Sequence, residues 1–180
     1  PEFLENIIEK NLTCLDYIKC PNNQLPLFNG TSEKFINQLD EYLDLRVKKK
    51  NAENIIGGLF KFKYKNHVIF FDVGSPPKKK FSKCYQSGPL SFEYFFDGVK
   101  IISNSGFGDN ISNKSELLSR LTACQSTLTL NDTSVSKFER NKLINKVFGN
   151  SIKNTFKIYS LNINSEKNII GCSAEHNGYE

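Results

Sequence analysis

His176 stands in Glu175-His176-Asn177-Gly178-Tyr179, where a β-branched run gives way to polar residues and a strand should end. An imidazole there can carry a proton near neutral pH, or can simply satisfy a local hydrogen bond. The other histidine, His67, falls in the turn signal Lys65-Asn66-His67, where a solvated turn residue competes with a ligand. Two histidines without a CxxC pair do not assemble a three-ligand zinc site. No P-loop, GxGxxG or glycine-flanked serine nucleophile occurs. The five cysteines, Cys14, Cys20, Cys84, Cys124 and Cys172, read mainly as small buried hydrophobes. Cys84 and Cys124 could meet across strands, but spacing alone does not pair them.

The polar side chains that gather most densely are Cys84, Gln86, Ser87 and Ser91, and a hairpin must position them. Leu90, Phe92, Tyr94 and Phe96 alternate with Ser91, Glu93 and Phe95, the two-residue period of a strand with one apolar face. Asp97-Gly98 suits a tight turn, and Val99 to Ser103 returns as the second strand. Upstream, Gln86-Ser87-Gly88-Pro89 forces a loop, so residues 84 to 91 form a polar mouth at the start of the hairpin.

Before this hairpin the pattern is helical. Residues 2 to 19 place Phe3, Leu4, Ile7, Ile8, Leu12, Leu15 and Ile18 on one face, and Cys20-Pro21 ends the helix. Thr31 or Ser32 caps a second helix running through Leu43. After Lys50 the period falls to two. Phe60, Phe62 and Tyr64 alternate with lysines, and Val68 to Val73 returns as a more buried strand. Leu117 to Leu121 reads as a short helix or an irregular crossing. Thr127–Leu130, Phe156–Asn162 and Ile169–Ala174 complete the strands. Short strands between turn signals predict a mainly β chain, part of an antiparallel β-sandwich preceded by two helices. The predicted domains are 1–46 and 55–180.

The 180 residues, with 38% hydrophobic content and 15 Phe, can bury a real core. A net charge of +5, with clusters at Lys48–Lys50 and Lys78–Lys80, suits a polyanion or a solvated lysine surface. Aromatics interleaved with arginine are not evident, which disfavours nucleic acid. No apolar run is long enough to insert in a membrane. The absence of Met and the start at Pro1 read as a chain cut at both ends.

Five segments in order are similar to the heparinase II/III-like family of polysaccharide lyases, nearest its alphaproteobacterial members. They are LPLFNG (25–30), VIFFDVGSPP (68–77), SGPLSFEYFFDG (87–98), ACQSTLTLNDT (123–133) and EHNGY (175–179). The resemblance implies an α/α toroid followed by an antiparallel sandwich, so residues 1–46 would be the tail of an upstream helical domain. It implies β-elimination on uronate-containing acidic polysaccharides, with the principal acid and base in the toroid, and a periplasmic or secreted bacterial protein. An alternative is a weakened, carbohydrate-binding sandwich. Several members hold a structural zinc, whose ligands fall here on Gln86, Asn104 and Gln125. Neutral amides are poor zinc ligands, so the expectation is no metal cofactor and a hydrogen-bonded amide cluster. Cys84 falls where active members can have a catalytic His, and is either an acid–base group or buried filler. The candidate catalytic residues are therefore His176 and Cys84. Gln86, Ser87, Ser91, Asn104 and Gln125 are the candidate substrate-binding residues.

Overall fold

The computed structural model describes residues 2–33, 55–166 and 169–180. The predicted second helix beyond residue 33, and the boundary between the two predicted domains, lie outside these residues. The chain is mainly antiparallel β with an N-terminal helix, as the sequence pattern predicts. Helix α1 (Glu2–Ile18) precedes β1 (Ile55–Ile56), β2 (Leu59–Tyr64), β3 (His67–Asp72), β4 (Phe92–Phe96) and β5 (Val99–Ile102). These five strands form one antiparallel meander in chain order. Short helices α2 (Asn113–Ser119) and α3 (Lys142–Phe148) follow, and β6 (Ile158–Glu166) pairs with β7 (Ile169–His176) in a separate hairpin.

The β4–β5 turn forms where it was expected, with Asp97 and Gly98 at φ 50 and 78, the left-handed pair that matches strand twist. The face assignment of β4 is corrected. Ser91, Glu93 and Phe95 point into the core, whereas Phe92 and Tyr94 are half-buried and Phe96 is exposed. Leu90 is not in the strand; it sits at φ 55 ahead of it. Both faces of β4 carry aromatics, so period alone could not choose between them. Glu93 decided the choice, because its carboxylate is matched inside. It accepts from the Leu27, Asn104 and Ser103 donors at 3.1–3.2 Å and pairs with the Lys100 ammonium at 3.4 Å.

Two apolar clusters result. Cys20, Phe28, Val68, Phe70 and Phe95 join the Leu25–Gly30 loop to the inner face of the meander. Tyr85, Val135, Phe138, Ile152 and Phe156 form the second cluster, against α2 and the β6–β7 hairpin. Helix α1 buries only Leu12 and Tyr17 of its length, while Phe3, Leu4, Ile7 and Ile8 remain exposed. It is held by Tyr17, whose hydroxyl donates to Leu59 O and accepts from Lys61 N.

The predicted strand at Thr127–Leu130 is absent; a single bridge joins Leu130 to Thr133 around the expected Asn131-Asp132 turn. Hydroxyls intervene there. Thr127 Oγ1 donates to Pro89 O and Ser126 Oγ to Phe92 O, replacing the backbone ladder. His67 belongs to β3 rather than to a solvated turn, with Nδ1 2.8 Å from the Tyr94 hydroxyl.

Candidate functional site

Strand β3 ends at Asp72, and the chain leaves the sheet through Val73-Gly74-Ser75-Pro76-Pro77, which cannot continue a ladder. This corner is fixed from the β1–β2 turn, where Gly58 O accepts from Val73 N at 2.8 Å. Gly58 has φ +85, and a Cβ there would lie 2.7 Å from Gly74 Cα, so only glycine allows this approach. Opposite the corner, Cys84-Tyr85 lies along the polar mouth, and Asn29 arrives from the Leu25–Gly30 loop. Together they enclose a cavity of about 250 Å³ lined by Asn29, Asp72, Ser75, Phe81, Cys84 and Tyr85 among others.

The chemistry of this cavity is mixed. Asp72 is 5% exposed, and burial pushes its carboxyl from the ordinary 3.8 up to about 7. The Gly74 N–H, 3.0 Å from Oδ1, and the Asn29 side chain pull the other way without overcoming the loss of water. Burial, reinforced by the Asp72 charge, raises the Tyr85 phenol, so it stays protonated and keeps an O–H to donate. The cavity thus offers a thiol, a phenol, an amide and a carboxyl that titrates near neutrality.

Cys84 is exposed, not the buried filler its spacing allowed. Among the cysteines only Cys20 is buried, and all five are free, so no Cys84–Cys124 bond forms. Gln86, Ser87, Ser91 and Asn104 are each under 5% exposed, beneath the mouth rather than on it. Ser87 Oγ bonds Thr122 Oγ1 at 3.1 Å and accepts from Ser136 N at 2.8 Å. Gln86 Oε1 accepts from Gly30 N at 3.0 Å, and its Nε2 donates to Gly106 O and Ser119 O. Gln125, half-buried, also donates to Ser119 O, at 2.7 Å. Asn104 Oδ1 accepts from Ser126 N and Oγ at 2.9 and 3.0 Å. Gln86 and Gln125 therefore meet through one carbonyl, and Asn104 joins through the residue after Gln125. No direct amide–amide bond links the three.

His176 stands apart from the cavity lining. Its ring contacts Phe156 and Tyr179, each at 5.9 Å, and Nδ1 accepts from Gly178 N at 3.1 Å. Partial burial lowers its pKa, so the neutral ring is favoured. It pairs across the hairpin with Ile158, whose N–H donates to Ser75 Oγ on the cavity wall at 3.4 Å.

The residues that line this cavity, Asn29 apart, fall in a segment that matches a known family. A model described as Heparinase II/III-like, C-terminal covers residues 55–180. The chain belongs to the heparinase II/III-like family. Among solved structures, the heparan sulfate lyase HepC from Pedobacter heparinus shares 19% identity at TM-score 0.64, over 99% of this chain and 29% of that one. A mutant of the same lyase gives 18% identity at TM-score 0.64, over 97% and 29%. A heparinase III, the BT4657 gene product, gives 18% and 0.55 over 77% and 26%. The chain therefore spans less than a third of the length of these heparinase-like neighbours. No curated protein matches it.

A zinc ion in this heparinase-like domain would have to be held by Gln86, Asn104 and Gln125, and these do not fit one. The oxygens of Gln86 and Asn104 already accept N–H or O–H donors, and the neutral Gln125 amide is by itself a weak zinc ligand. Among the described residues, no three His, Cys, Asp or Glu side chains converge as a ligand set. Asn29, Asp72 and Tyr85 were not singled out from the sequence. The available signal was Asp72, a carboxylate closing the apolar run VIFFD, where a solvated end would not need one.

Proposed function

We propose that this chain is the sandwich portion of a polysaccharide lyase that cleaves uronate-containing acidic glycans by β-elimination, in the bacterial periplasm or outside the cell. The observation that carries the reading is the Cys84 cavity. The LPLFNG, VIFFDVGSPP and polar-mouth segments, distant in sequence, all contribute to its wall. β-Elimination needs a base for the proton α to the uronate carboxyl, donors for the enolate charge, and an acid for the 4-linked leaving oxygen. In this reading Cys84 fronts the glycan, Asn29 and Tyr85 supply donors, and Asp72 holds a proton close to neutrality. Gln125 is the carboxamide with solvent access, while Gln86, Ser87, Ser91 and Asn104 hold the mouth in shape from beneath. His176 acts through the Ile158–Ser75 wall. The principal acid and base come from an upstream helical domain of the same protein.

A second reading is a sandwich that binds the acidic polysaccharide without cleaving it. It is favoured by Gln86, whose oxygen and nitrogen are both engaged by protein groups. The two readings separate on one assay. The whole protein is incubated with heparan sulfate, alginate and related uronates, and the ultraviolet absorbance of the unsaturated product is followed. Turnover that drops about tenfold or more in C84A supports the lyase reading. Binding without product in the unaltered protein favours the second, and neither binding nor product defeats both.

A further inference from the structure

Helix α1 is fastened to the sheet near its C-terminal end. Its first half leaves Phe3, Leu4, Ile7 and Ile8 exposed, and only Leu12 and Tyr17 are buried. Beyond Phe60, the edge of β2 turned away from β3 has no strand beside it among the described residues, because β1 pairs only with Leu59 and Phe60. Tyr17 fills the first open position. Its hydroxyl accepts from Lys61 N at 2.6 Å and donates to Leu59 O at 3.2 Å, in the manner of a neighbouring strand's backbone. Lys61 returns the contact. The last turn of α1 carries no basic residue, and its final carbonyls need donors. The Lys61 ammonium supplies them, 2.7 Å from Tyr17 O and 3.1 Å from Lys19 O, and lies 5.0 Å from the Phe70 ring centroid.

Tyr17 and Lys61 thus grip each other reciprocally, the side chain of each on the backbone of the other's element. Opening this clasp does not require the sheet to come apart. The Leu25–Gly30 loop is tied to the meander separately, through Phe28 in the first apolar cluster and the Leu27 N–H on Glu93. Between the two anchors Pro21-Asn22-Asn23 makes a tight turn, with Asn23 at φ 59 and its N–H on Cys20 O at 3.1 Å. That turn is a ready pivot. Cys20, 2% exposed, lies on the helix side of it, in one cluster with Val68, Phe70 and Phe95. Burial, reinforced by the Glu93 charge, pushes its thiol up to about 12, so it is unreactive while α1 is docked. An element with an exposed apolar half and few buried anchors opens at lower free energy than the strands of a core. We propose that α1 is a releasable strap: the Tyr17–Lys61 clasp holds it across the open edge of β2, and its release bares that edge and Cys20 while the meander stays folded. The strap is independent of the ligand proposed above.

The test combines amide exchange by NMR with pulsed thiol labelling of the 180-residue chain, read peptide by peptide in a mass spectrometer so that Cys20 is scored apart from the other cysteines. Y17F removes the hydroxyl and keeps the ring; K61M keeps an unbranched apolar stem and removes the ammonium. Each should speed Cys20 labelling and exchange of the Lys61 amide about tenfold, with the Phe70 and Phe95 amides exchanging as before. T13A, which removes a hydroxyl bonded only within the helix to Glu9 O, should leave all of these rates unchanged. Rates at Cys20 and Lys61 that stay the same in both Y17F and K61M overturn the strap, because the clasp then holds nothing. Rates that rise only together with those of Phe70 and Phe95 overturn it too, because α1 then opens only when the whole chain unfolds.

Discussion

Replacing Asp72 with Asn tests the electrostatics of the Cys84 cavity through stability alone. The carboxyl titrates near 7 in the folded chain and near 3.8 when solvated. Between those values the unfolded chain releases the proton while the folded chain keeps it, so this group's contribution to stability falls as pH rises. The loss starts near pH 4, is complete above about pH 7, and totals about 4 kcal/mol. D72N removes this dependence. Its Oδ1 still accepts the Gly74 N–H, but its amide nitrogen faces the Asn29 side chain that hydrogen-bonds the carboxylate, at a cost of about 1 kcal/mol. D72N should therefore be about 3 kcal/mol more stable than the unaltered chain at pH 8, and equal or slightly weaker at pH 4. The chain has no Trp, so urea unfolding is best followed by far-ultraviolet circular dichroism. Taking the difference between variant and unaltered chain at each pH cancels the other ionisable groups. A difference that does not change between pH 4 and 8, or a D72N that is weaker at pH 8, refutes a carboxyl held protonated by burial.

The remaining predictions concern the supports of the site. Gly30→Ala should destabilise the chain by about 2 kcal/mol or more, because φ is +95 and the new Cβ would lie 2.7 Å from Cys84 Cβ; denaturant titration measures it. Glu93→Gln leaves the Lys100 ammonium inside without its counter-charge and should cost about 3–5 kcal/mol, much of it recovered in E93Q/K100M; a double-mutant cycle reads the coupling. Metal analysis of the dialysed protein should find no stoichiometric zinc, and stoichiometric zinc would refute the assignment of the carboxamides as hydrogen-bonding groups. His176→Ala should lower turnover of the whole protein if the Ile158–Ser75 link matters, and an unchanged rate would make His176 a packing residue.

Much of the architecture could be read from local rules. Asp97-Gly98, Lys65-Asn66 and the lysine alternation of β2 each specify a turn or a period within a few residues, and the meander follows from them. The site was harder to read because it depends on which face of a strand turns inward. Glu93 was assigned to the polar face, since a lone carboxylate belongs in water; its partners Leu27, Ser103 and Asn104 lie up to 66 residues away. Asp72 is equally non-local, its Asn29 partner arriving from a distant loop. For Cys84 two readings stood open, and its exposure removes the buried one, because a thiol's usual burial says nothing about a loop that projects it outward. Non-local pairing, not propensity, fixed each of these positions.

The single carbonyl of Ser119, which receives both Gln86 and Gln125, makes two distant side chains depend on one acceptor. Exchanging either glutamine alone for an imidazole would remove one donor from that carbonyl, at about 1–3 kcal/mol for each buried group stranded. The two positions are therefore coupled: a substitution at one should change the cost of a substitution at the other, which a double-mutant cycle reads as a non-additive term.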